Sequence, residues 1–459
     1  MAPFLVTTEY SPLSCLAAAA AAVVTFQLLR AVYRLYFHPL SKFPGPRSAA
    51  ISRQWQANIV KKGFPEKEYE KLHKQFGTKA LRIGPNHLHI SDSSLYKVIY
   101  SQANPFPKEQ AFYDTFESHH TTFSETDAQL HKQRRKLLSP LFSKSGVSKL
   151  EQLILEKVEE TKEKVNRISK HGPINMWPAF RCMTVDIISE FSFGTCINMI
   201  NEDPDTFNSE YLKAMEVASA LPFLRYYSTM QWLLGKCVPI SVAANFSPIL
   251  RQTEKMVGII VDSYHNYAQR TTNSRFPVLF DNLQTLPADS QKAEAINTFI
   301  AGSDTTAFTL VTALYHILRL PEVEKTLTAS LDELFGGSQS VPSLVQLEQT
   351  KYLTVVGMSA YTMNTDPQIW GQDAHSFNPA RWLGPNAKEL ETHMCTFSKG
   401  ARQCIGINVA YAEATIALAH FFYNFKMELK TKELRVADKF TIEAPEPGLL
   451  VDFKLRQHS

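Results

Sequence analysis

The stretch "FSKGARQCIG", residues 397–406, surrounds one cysteine, Cys404, with two glycines, an arginine and a phenylalanine. A cysteine that binds a metal must be held as the thiolate, which neighbouring N–H groups, positive charge and a helix N-terminus all favour. Gly400 and Gly406 allow the chain to bend tightly and to approach a flat group closely. Arg402 can pair with an anionic group. The stretch therefore has the chemistry of a ligand-binding loop.

Several roles are open to Cys404: half of a disulfide, a zinc ligand, a nucleophile, a haem ligand or an ordinary buried thiol. The six cysteines of the chain are scattered without C-x-x-C spacing, which argues against structural zinc. A disulfide framework is not expected in a long chain with a large core, so we expect the body to lie in a reducing compartment. Residues 407–425 have the pattern of a long helix that begins close to Cys404, and its dipole favours a thiolate there.

The composition excludes some classes of protein. Of the 459 residues, 44% are hydrophobic, which is enough for a large core and too many for a disordered chain. Lys and Arg number 48 against 44 Asp and Glu, and the resulting net charge of +4 gives no argument for nucleic-acid binding. The 29 Phe and 17 Tyr are compatible with a large apolar core and equally with an apolar ligand.

An uncharged run near the N-terminus, "LSCLAAAAAAVVTFQLL" at 13–29, lies at the short end of what crosses a bilayer, and its flanks can extend it. Basic residues come after the run while only Glu9 precedes it, so the positive-inside rule predicts a single span with a cytosolic body. A cleaved signal peptide is the rival, although its positive charge normally comes before the apolar run. We predict a membrane anchor and a stiff proline-rich hinge, "FPGP", over residues 1–47.

Residues 48–459 are predicted to form one catalytic domain, because neither repeats nor low-complexity linkers interrupt them. Apolar residues at three- and four-residue steps predict a helix over 148–168. A second long helix is predicted from about Ser290 to Arg319, shortly before a proline. Short strand-like runs occur at 80–90 and 448–455, so the expected fold class is mainly α with a minor β part.

The loop around Cys404 matches F-x-x-G-x-R-x-C-x-G at every specified position: Phe397, Gly400, Arg402, Cys404 and Gly406. It resembles the haem-binding loop of the cytochrome P450 superfamily, and the resemblance implies that fold. It also implies that Cys404 is the axial ligand of the iron of haem b and that Arg402 pairs with a haem propionate. Phe397 would then shield the sulfur, and the two glycines would admit the flat cofactor.

The run "AGSDTT", residues 301–306, places residues that disfavour helix interiors inside the second predicted helix. Such a helix is either wrongly assigned or kinked for a purpose. The run resembles the family's oxygen-activating motif, A/G-G-x-D/E-T. By that match Ala301 and Gly302 would lie against the haem and leave room for dioxygen. Asp304 and Thr305 would manage the protons that oxygen activation requires.

The run "LHKQRRKLLSPLF", residues 130–142, is basic and then apolar, a pattern that commonly marks a solvated helix face. In the family, a helix at this place uses a W-x-x-x-R pair to hold a haem propionate. His131 and Arg135 stand at that spacing, which resembles a variant of fungal members and implies that both bind a propionate. The segment "FNPARW", residues 377–382, resembles the family's F-x-P-x-R-W, in which Arg381 would complete a buried ionic network.

The resemblance implies a haem-thiolate monooxygenase that inserts one atom of O2 into an apolar small molecule. Electrons would come from a separate NADPH-cytochrome reductase, since the chain has no dinucleotide or flavin motif. A basic surface near Lys399 and Arg402 would help that partner to dock. The anchor and hinge resemble those of fungal microsomal members. This implies an endoplasmic reticulum membrane protein of secondary metabolism, acting on a terpenoid or polyketide.

One family feature has no counterpart, because residues 307–380 contain no E-x-x-R pair. The sequence before Val356 resembles the approach to the helix that carries this pair. The sequence from Gly357 resembles a family segment located beyond that helix and a later strand. We therefore expect an internal deletion near 356–357 that removes the helix and part of the substrate pocket. Arg381 would then be an uncompensated buried charge, at a cost of about 3–5 kcal/mol.

Two other functions remain open. The chain could be an impaired splice or truncated variant that acts as a non-catalytic haem or membrane protein, which the absent E-x-x-R pair favours. It could also be an isomerase or dehydratase that uses the same haem thiolate without a reductase. The adjacent Asp304 and Thr305 favour oxygen activation over this last alternative.

Overall fold

The chain divides into two compact units, Met1–Asp92 and Ser93–Ser459. The division at residue 92 does not coincide with the predicted boundary at residue 47, and the organisation into anchor and catalytic domain stays a prediction. The predicted junction of Val356 and Gly357 lies outside the described residues. The structure, a computed structural model, describes residues 12–103, 105–116, 120–218, 221–228, 232–233, 237–270, 274–336, 342–347, 361–439 and 441–458.

The first unit begins with a long helix that is not buried. Helix α1 spans Pro12–Val32 and continues as a turn of wider, π-type helix over Tyr33–Phe37. By length and composition, Pro12–Phe37 could cross a membrane. Its other described elements are a 3-10 helix (Pro39–Lys42), α2 (Arg47–Ile51), α3 (Gln54–Val60), α4 (Pro65–Phe76), β1 (Ala80–Gly84) and β2 (His87–Ile90). Strands β1 and β2 pair antiparallel, which confirms the strand predicted at 80–90.

The second unit is mainly helical, as predicted. The helix predicted over 148–168 is confirmed as a 3-10 turn followed by α9, and the helix predicted from Ser290 is confirmed as α15, which ends one residue before Arg319. The helices that the structure describes here are α5 (Tyr96–Ile99), α6 (Gln110–Tyr113), α7 (Ala128–Leu138), α8 (Lys144–Val147), α9 (Glu151–Ile168), α10 (Met176–Phe193), α11 (Glu210–Ala218), α12 (Leu221–Tyr227), α13 (Ile240–Ala243), α14 (Pro248–Ala268), α15 (Ala288–Leu318), α16 (Pro321–Phe335), α17 (Leu344–Leu347), α18 (Tyr361–Asn364), α19 (Pro367–Trp370), α20 (Ala387–His393) and α21 (Ile407–Asn424).

Among the described residues of the second unit, the strands form two small antiparallel sheets. In the first, β7 (Leu450–Leu455) lies between β3 (Ile174–Asn175) and β4 (Phe425–Leu429). In the second, β5 (Ala437–Lys439) pairs with β6 (Thr441–Glu443). The strand predicted at 448–455 is confirmed as β7, and the predicted fold class, mainly α with a minor β part, is confirmed.

The core of the second unit lies where α10 and α15 pack along each other, with α9 and α21 beside them. Helix α10 is buried on nearly every side, and most of its residues are apolar. Helix α15 stays helical through "AGSDTT", and within it the Thr305 hydroxyl donates to the carbonyl of Ala301 (2.9 Å) and the Thr309 hydroxyl to that of Thr305 (2.8 Å). These bonds satisfy the hydroxyl groups within the helix.

The starting points of α7 and α21 position the segments that matter for function. Helix α7 begins at Ala128 because Asp127 Oδ1 accepts hydrogen bonds from the backbone N–H groups of Gln129 and Leu130, each at 2.8 Å. Helix α21 begins directly after the Cys404 loop, at Ile407. The N-terminal end of α21 is thus next to the cysteine, as the sequence predicts.

Candidate active site

The loop before α21 is a tight turn that holds Cys404 close to the first residue of the helix. The N–H of Cys404 donates to the carbonyl of Phe397 (2.9 Å), which closes the turn. Ser398 and Gly400 both have positive φ, 59° and 72°. A side chain at Gly400 would overlap with the carbonyl oxygen of Tyr100, so only glycine permits this approach. The fold of the chain therefore requires glycine at position 400, independently of any cofactor.

The sulfur of Cys404 is accessible to solvent although protein surrounds it closely. Burial raises the pKa of the thiol, while the N–H of Gly406 and the charge of Arg135 act in the opposite direction. A backbone donor and a cation are the groups that stabilise a thiolate. The surroundings thus suit a sulfur that loses its proton when it binds a metal ion.

Phe397 and Gly406 make ordinary contacts that do not by themselves indicate the roles implied by the motif. The Phe397 ring packs against Tyr411 of α21, with 5.2 Å between ring centroids. Gly406 has φ −80°, which any residue can adopt, and a Cβ there would lie 3.9 Å from the sulfur of Cys404, an ordinary contact. Shielding of the sulfur by Phe397 and admission of a cofactor by Gly406 stay predictions.

Two arginines lie beside the Cys404 loop. Arg402 donates to the carbonyl of Glu125 through Nη1 (2.6 Å) and to that of Thr126 through Nη2 (3.3 Å). Arg135 on α7 is partly buried, and its side chain forms neither a hydrogen bond nor an ion pair with any described residue. The charge of Arg135 is felt at Cys404, so α7 and the loop face the same space.

His131 is also part of this group, but as an uncharged ring. The residue is 4% exposed. Its pKa is lowered to about 4, first by burial and then by the charges of Arg402, Arg135 and Lys108. At neutral pH the ring is therefore neutral and can offer one N–H. The structure brings His131, Arg135, Arg402 and Cys404 together, as the resemblance implies.

The charges of this group fit a ligand that carries carboxylates. Glu125 and Asp127 attract Arg402 from a distance, but no carboxylate among the described residues forms an ion pair with Arg402 or Arg135. Burial lowers the pKa of both arginines, so their charges are costly as they stand. An anion supplied from outside would remove that cost, and the two propionates of a haem are such anions.

The face of α15 that carries Ala301 and Thr305 is exposed, although the helix runs through the core of the unit. Gly302 does not share this environment: a Cβ there would overlap with the side chain of Ile188 on α10. The structure thus gives Gly302 a role in packing α15 against α10. Room for dioxygen beside Ala301 and Gly302 stays a prediction.

Asp304 is 1% exposed and belongs to a buried ionic cluster. Its Oδ1 accepts from Nε of Arg181 on α10 (2.8 Å), and its Oδ2 accepts from the Thr441 hydroxyl of β6 (3.3 Å). Nη1 of Arg181 donates to Glu216 of α11 (2.7 Å). Asp304 forms no hydrogen bond with Thr305, so the structure separates two residues that the sequence motif joins.

Arg181 and Glu216 are residues that sequence reasoning missed. Burial alone would lower the pKa of Arg181, but the attraction of Asp304 and Glu216 raises it instead. Arg181 precedes Asp304 by 123 positions, so no motif spacing relates them. An arginine within the largely apolar run of α10 is the available sequence signal.

The structure corrects the expectation for Arg381. Nη2 of Arg381 lies 3.0 Å from Oδ2 of Asp373, and its two terminal nitrogens donate to the carbonyls of Trp370 and Asp373. The prediction of an uncompensated charge is therefore wrong, because a nearby carboxylate and two carbonyls pair with the guanidinium. Asp373 lies six residues before the 3-10 turn that carries Arg381. The carboxylate that takes the place of the expected partners therefore comes from a nearby part of the chain.

Comparison with known proteins agrees with this geometry. A sequence profile of the cytochrome P450 family matches residues 45–356 and 354–451. The cytochrome P450 monooxygenase macH of Penicillium terrestre is 29% identical over 482 residues, covering 91% of this chain and 92% of macH. The monooxygenases sol6 of Alternaria solani and aflU of Aspergillus parasiticus are 30% and 28% identical, covering 83% and 92% of this chain and 93% and 94% of their own. The chain therefore belongs to the cytochrome P450 family.

Proposed function

We propose that Cys404 is the axial ligand of haem b in this cytochrome P450 monooxygenase. Members of the family use haem-thiolate iron, O2 and a redox partner to oxidise small molecules. The carrying observation is the position of the Cys404 sulfur, at the N-terminal end of α21 beside the N–H of Gly406 and the charge of Arg135. The haem supplies the oxidising chemistry when bound, and the chain supplies position and charge.

The cofactor carboxylates are assigned to Arg135 and Arg402, with His131 as a neutral donor. The support is the absence of carboxylate partners for the two arginines among the described residues and the low pKa of His131. An arginine presents several N–H groups in a fixed plane, which suits a carboxylate. The hydrogen bonds of Arg402 to residues 125 and 126 also fix the Cys404 loop to the segment before α7.

Proton handling is assigned to Thr305 and Asp304, in separate roles. The Thr305 hydroxyl lies on the exposed face of α15, where it donates to Ala301 and keeps its lone pairs available. Asp304 is held by Arg181, which also binds Glu216, a side chain that is 43% exposed. Hydrogen-bonded charged groups thus connect the buried carboxylate with solvent. Because Arg181 does not give up its proton, its role would be to hold the Asp304 carboxylate in place, while the Thr305 hydroxyl would accept a proton from water through a lone pair as it passes its own to the reacting group.

The substrate is proposed to be an apolar small molecule of fungal secondary metabolism, a terpenoid or polyketide. Aromatic rings join the segment around α6 to α12: Phe112 lies 5.4 Å from the ring of Phe116 and 5.4 Å from that of Tyr226. Such a cluster presents apolar surface to a ligand. The relatives are fungal proteins, and the choice of metabolite class rests on that likeness alone.

The protein is proposed to be a single-pass protein of the endoplasmic reticulum membrane with a cytosolic body. The support is the apolar helix Pro12–Phe37, together with the basic residues after its apolar run. An NADPH-cytochrome reductase would supply electrons. Exposed Lys132 and Lys136 of α7, with Lys399 of the Cys404 loop, offer a basic surface for that partner.

The internal deletion that the sequence predicts would impair this activity without changing the family to which the chain belongs. The family profile matches the chain in two parts that overlap at residues 354–356, at the place where the sequence predicts an internal deletion. The alignment with macH extends over 482 residues, which is more than the 459 of this chain, so macH has segments without a counterpart here. Loss of a pocket wall would lower turnover while leaving the Cys404 loop in place.

Purified full chain, incubated with reductase, NADPH and isotopically labelled O2, tests these functions. A monooxygenase is expected to consume NADPH only when reductase is present and to place the label in an apolar product. Product formation without NADPH would instead indicate the isomerase or dehydratase. Haem binding with neither product nor NADPH consumption, across a panel of terpenoids and polyketides, would indicate the impaired variant.

A further inference from the structure

Lys108 is a partly buried lysine that has no carboxylate partner among the described residues. Its Nζ donates to the hydroxyl of Tyr113 (2.7 Å) and lies 4.4 Å from the centre of that ring and 5.7 Å from that of Phe123. The neighbouring Glu109 accepts from the Tyr226 hydroxyl at 2.9 Å and forms no ion pair with Lys108. The lysine is therefore packed among aromatic rings, whereas lysines usually keep the ammonium group in water.

Lys108 belongs to the same group of charges as Arg135 and Arg402. Its charge is felt at His131 together with the charges of both arginines, and Arg402 in turn repels Lys108. Three cations thus face one neutral imidazole without a paired carboxylate from the described residues. Bringing like charges together in partly buried positions is unfavourable, and a bound anion adds an attraction that offsets this repulsion.

We propose that Lys108, held in place by Tyr113, is a further binding residue for the carboxylates of the haem, beside Arg135 and Arg402. The inference rests on the proposed function, because the anion is the cofactor that Cys404 would ligate. Lys108 lies outside every sequence motif described above. The reason for assigning it is its place in the charge group and its lack of a carboxylate.

Tyr113 acts as the positioning residue for this lysine. Burial raises the pKa of Tyr113 to about 12, although Arg402 opposes the shift, so the phenol stays neutral and accepts the hydrogen bond at physiological pH. The face of the ring also attracts the ammonium group. Tyr113 therefore fixes the position of the ammonium group. Unlike a carboxylate, it does not neutralise the charge.

The arrangement makes the contribution of Lys108 depend on pH. In the haem-free protein its pKa is lowered to about 8, by burial and then by Arg402. The groups that face it are Tyr113, which is neutral, Arg402, which keeps its charge, and His131, whose pKa is about 4. A bound carboxylate raises the pKa of Lys108. Its contribution to affinity is thus complete below pH 8 and declines above it, and binding at about pH 9 takes up protons.

Titration of the haem-free full chain with ferric haem, and separately with haem dimethyl ester, tests the proposal. The Lys108→Met variant is expected to lose about tenfold in affinity for haem at pH 7, the order expected for one charged hydrogen bond. It is expected to bind the ester, which has no carboxylate charge, as the parent does. Lys108→Arg should restore most of the affinity, and Tyr113→Phe should lose a smaller factor than Lys108→Met.

The matched control is Lys97→Met, which removes an exposed lysine from α5 and should change neither affinity. Equal affinities of the parent and Lys108→Met for haem would overturn the inference. An equal loss for haem and for its ester would overturn it too, because a general change of structure would then explain the effect. Failure of the proposed function would give a different result: the haem absorption would not depend on Cys404, whatever the outcome of the ester comparison.

Discussion

Two groups of buried or partly buried charges in the second unit are built in opposite ways. Around Arg181 the opposite charges are supplied by the chain itself, from Asp304 and Glu216 at 2.8 and 2.7 Å. Arg402 donates to backbone carbonyls, and neither Arg402 nor Arg135 has a paired carboxylate among the described residues. The charges of the first group are paired within the folded protein, and we propose that those of the second are paired by a bound anion. A buried charge that stays unpaired is thus a guide to a ligand.

The comparison predicts its largest effect on stability at Arg181. Replacement by methionine leaves Asp304 buried without its cation, so we expect a loss of about 3–5 kcal/mol in the free energy of unfolding. Chemical denaturation of the haem-free protein measures the loss. The double variant Arg181→Met with Asp304→Asn removes both charges and should recover part of it. A loss below about 1 kcal/mol would show that the cluster behaves as a surface pair.

The opposite behaviour is expected of Arg135. Arg135→Met should leave the unfolding free energy of the haem-free protein unchanged or slightly higher, because a cation without a counter-ion is removed. Haem affinity should fall by about 10- to 100-fold, the range for a hydrogen bond between charged groups. Spectroscopic haem titration checks this, with Lys132→Met, an exposed lysine on the same helix, as the control. A marked fall in the unfolding free energy of Arg135→Met without a loss of haem affinity would contradict this, because Arg135 would then be a paired charge like Arg181.

Most of the features that distinguish the two groups of charges could be predicted from local sequence, and some could not. The turn at Cys404, the placement of His131 with Arg135 on one helix and the position of α15 depend on patterns within a few residues. The partners of Asp304 depend on the packing of α10 and α11 against α15, which no local spacing encodes. The expectation for Arg381 is wrong for a related reason: the sequence lacks its expected partners, but Asp373, eight residues before it, pairs with the guanidinium instead.

The pH dependence of stability provides a smaller test of the unpaired group. The pKa of His131 falls from about 6.5 in the unfolded chain to about 4 in the folded one, so the folded state resists protonation. Its contribution to stability is complete above about pH 6.5 and is lost as the pH falls toward 4. We expect the haem-free protein to lose about 2 kcal/mol between pH 7 and pH 5 through this residue.

Denaturation of the parent and of His131→Gln at both pH values isolates this contribution. The variant cannot take up the proton, so its unfolding free energy should change less between the two conditions. Parallel curves for the two proteins would mean that His131 is solvated and takes no part in the charge group.

The smallest effect is expected at Arg381. Its carboxylate partner, Asp373, is 46% exposed, and its other acceptors are carbonyls. Arg381→Met should therefore reduce the free energy of unfolding by less than about 1 kcal/mol. Thermal or chemical denaturation measures this. A loss of about 3 kcal/mol or more would revive the idea that Arg381 belongs to a buried network, as the family's sequence pattern implies.

The carbon monoxide difference spectrum of the reduced protein tests the central claim most directly. If Cys404 is the axial ligand, the parent shows the absorption of a thiolate-bound haem, and Cys404→Ser loses it while the circular dichroism of the chain stays helical. Retention of the parent's absorption in Cys404→Ser would contradict the account, because the iron would then be held by a different group.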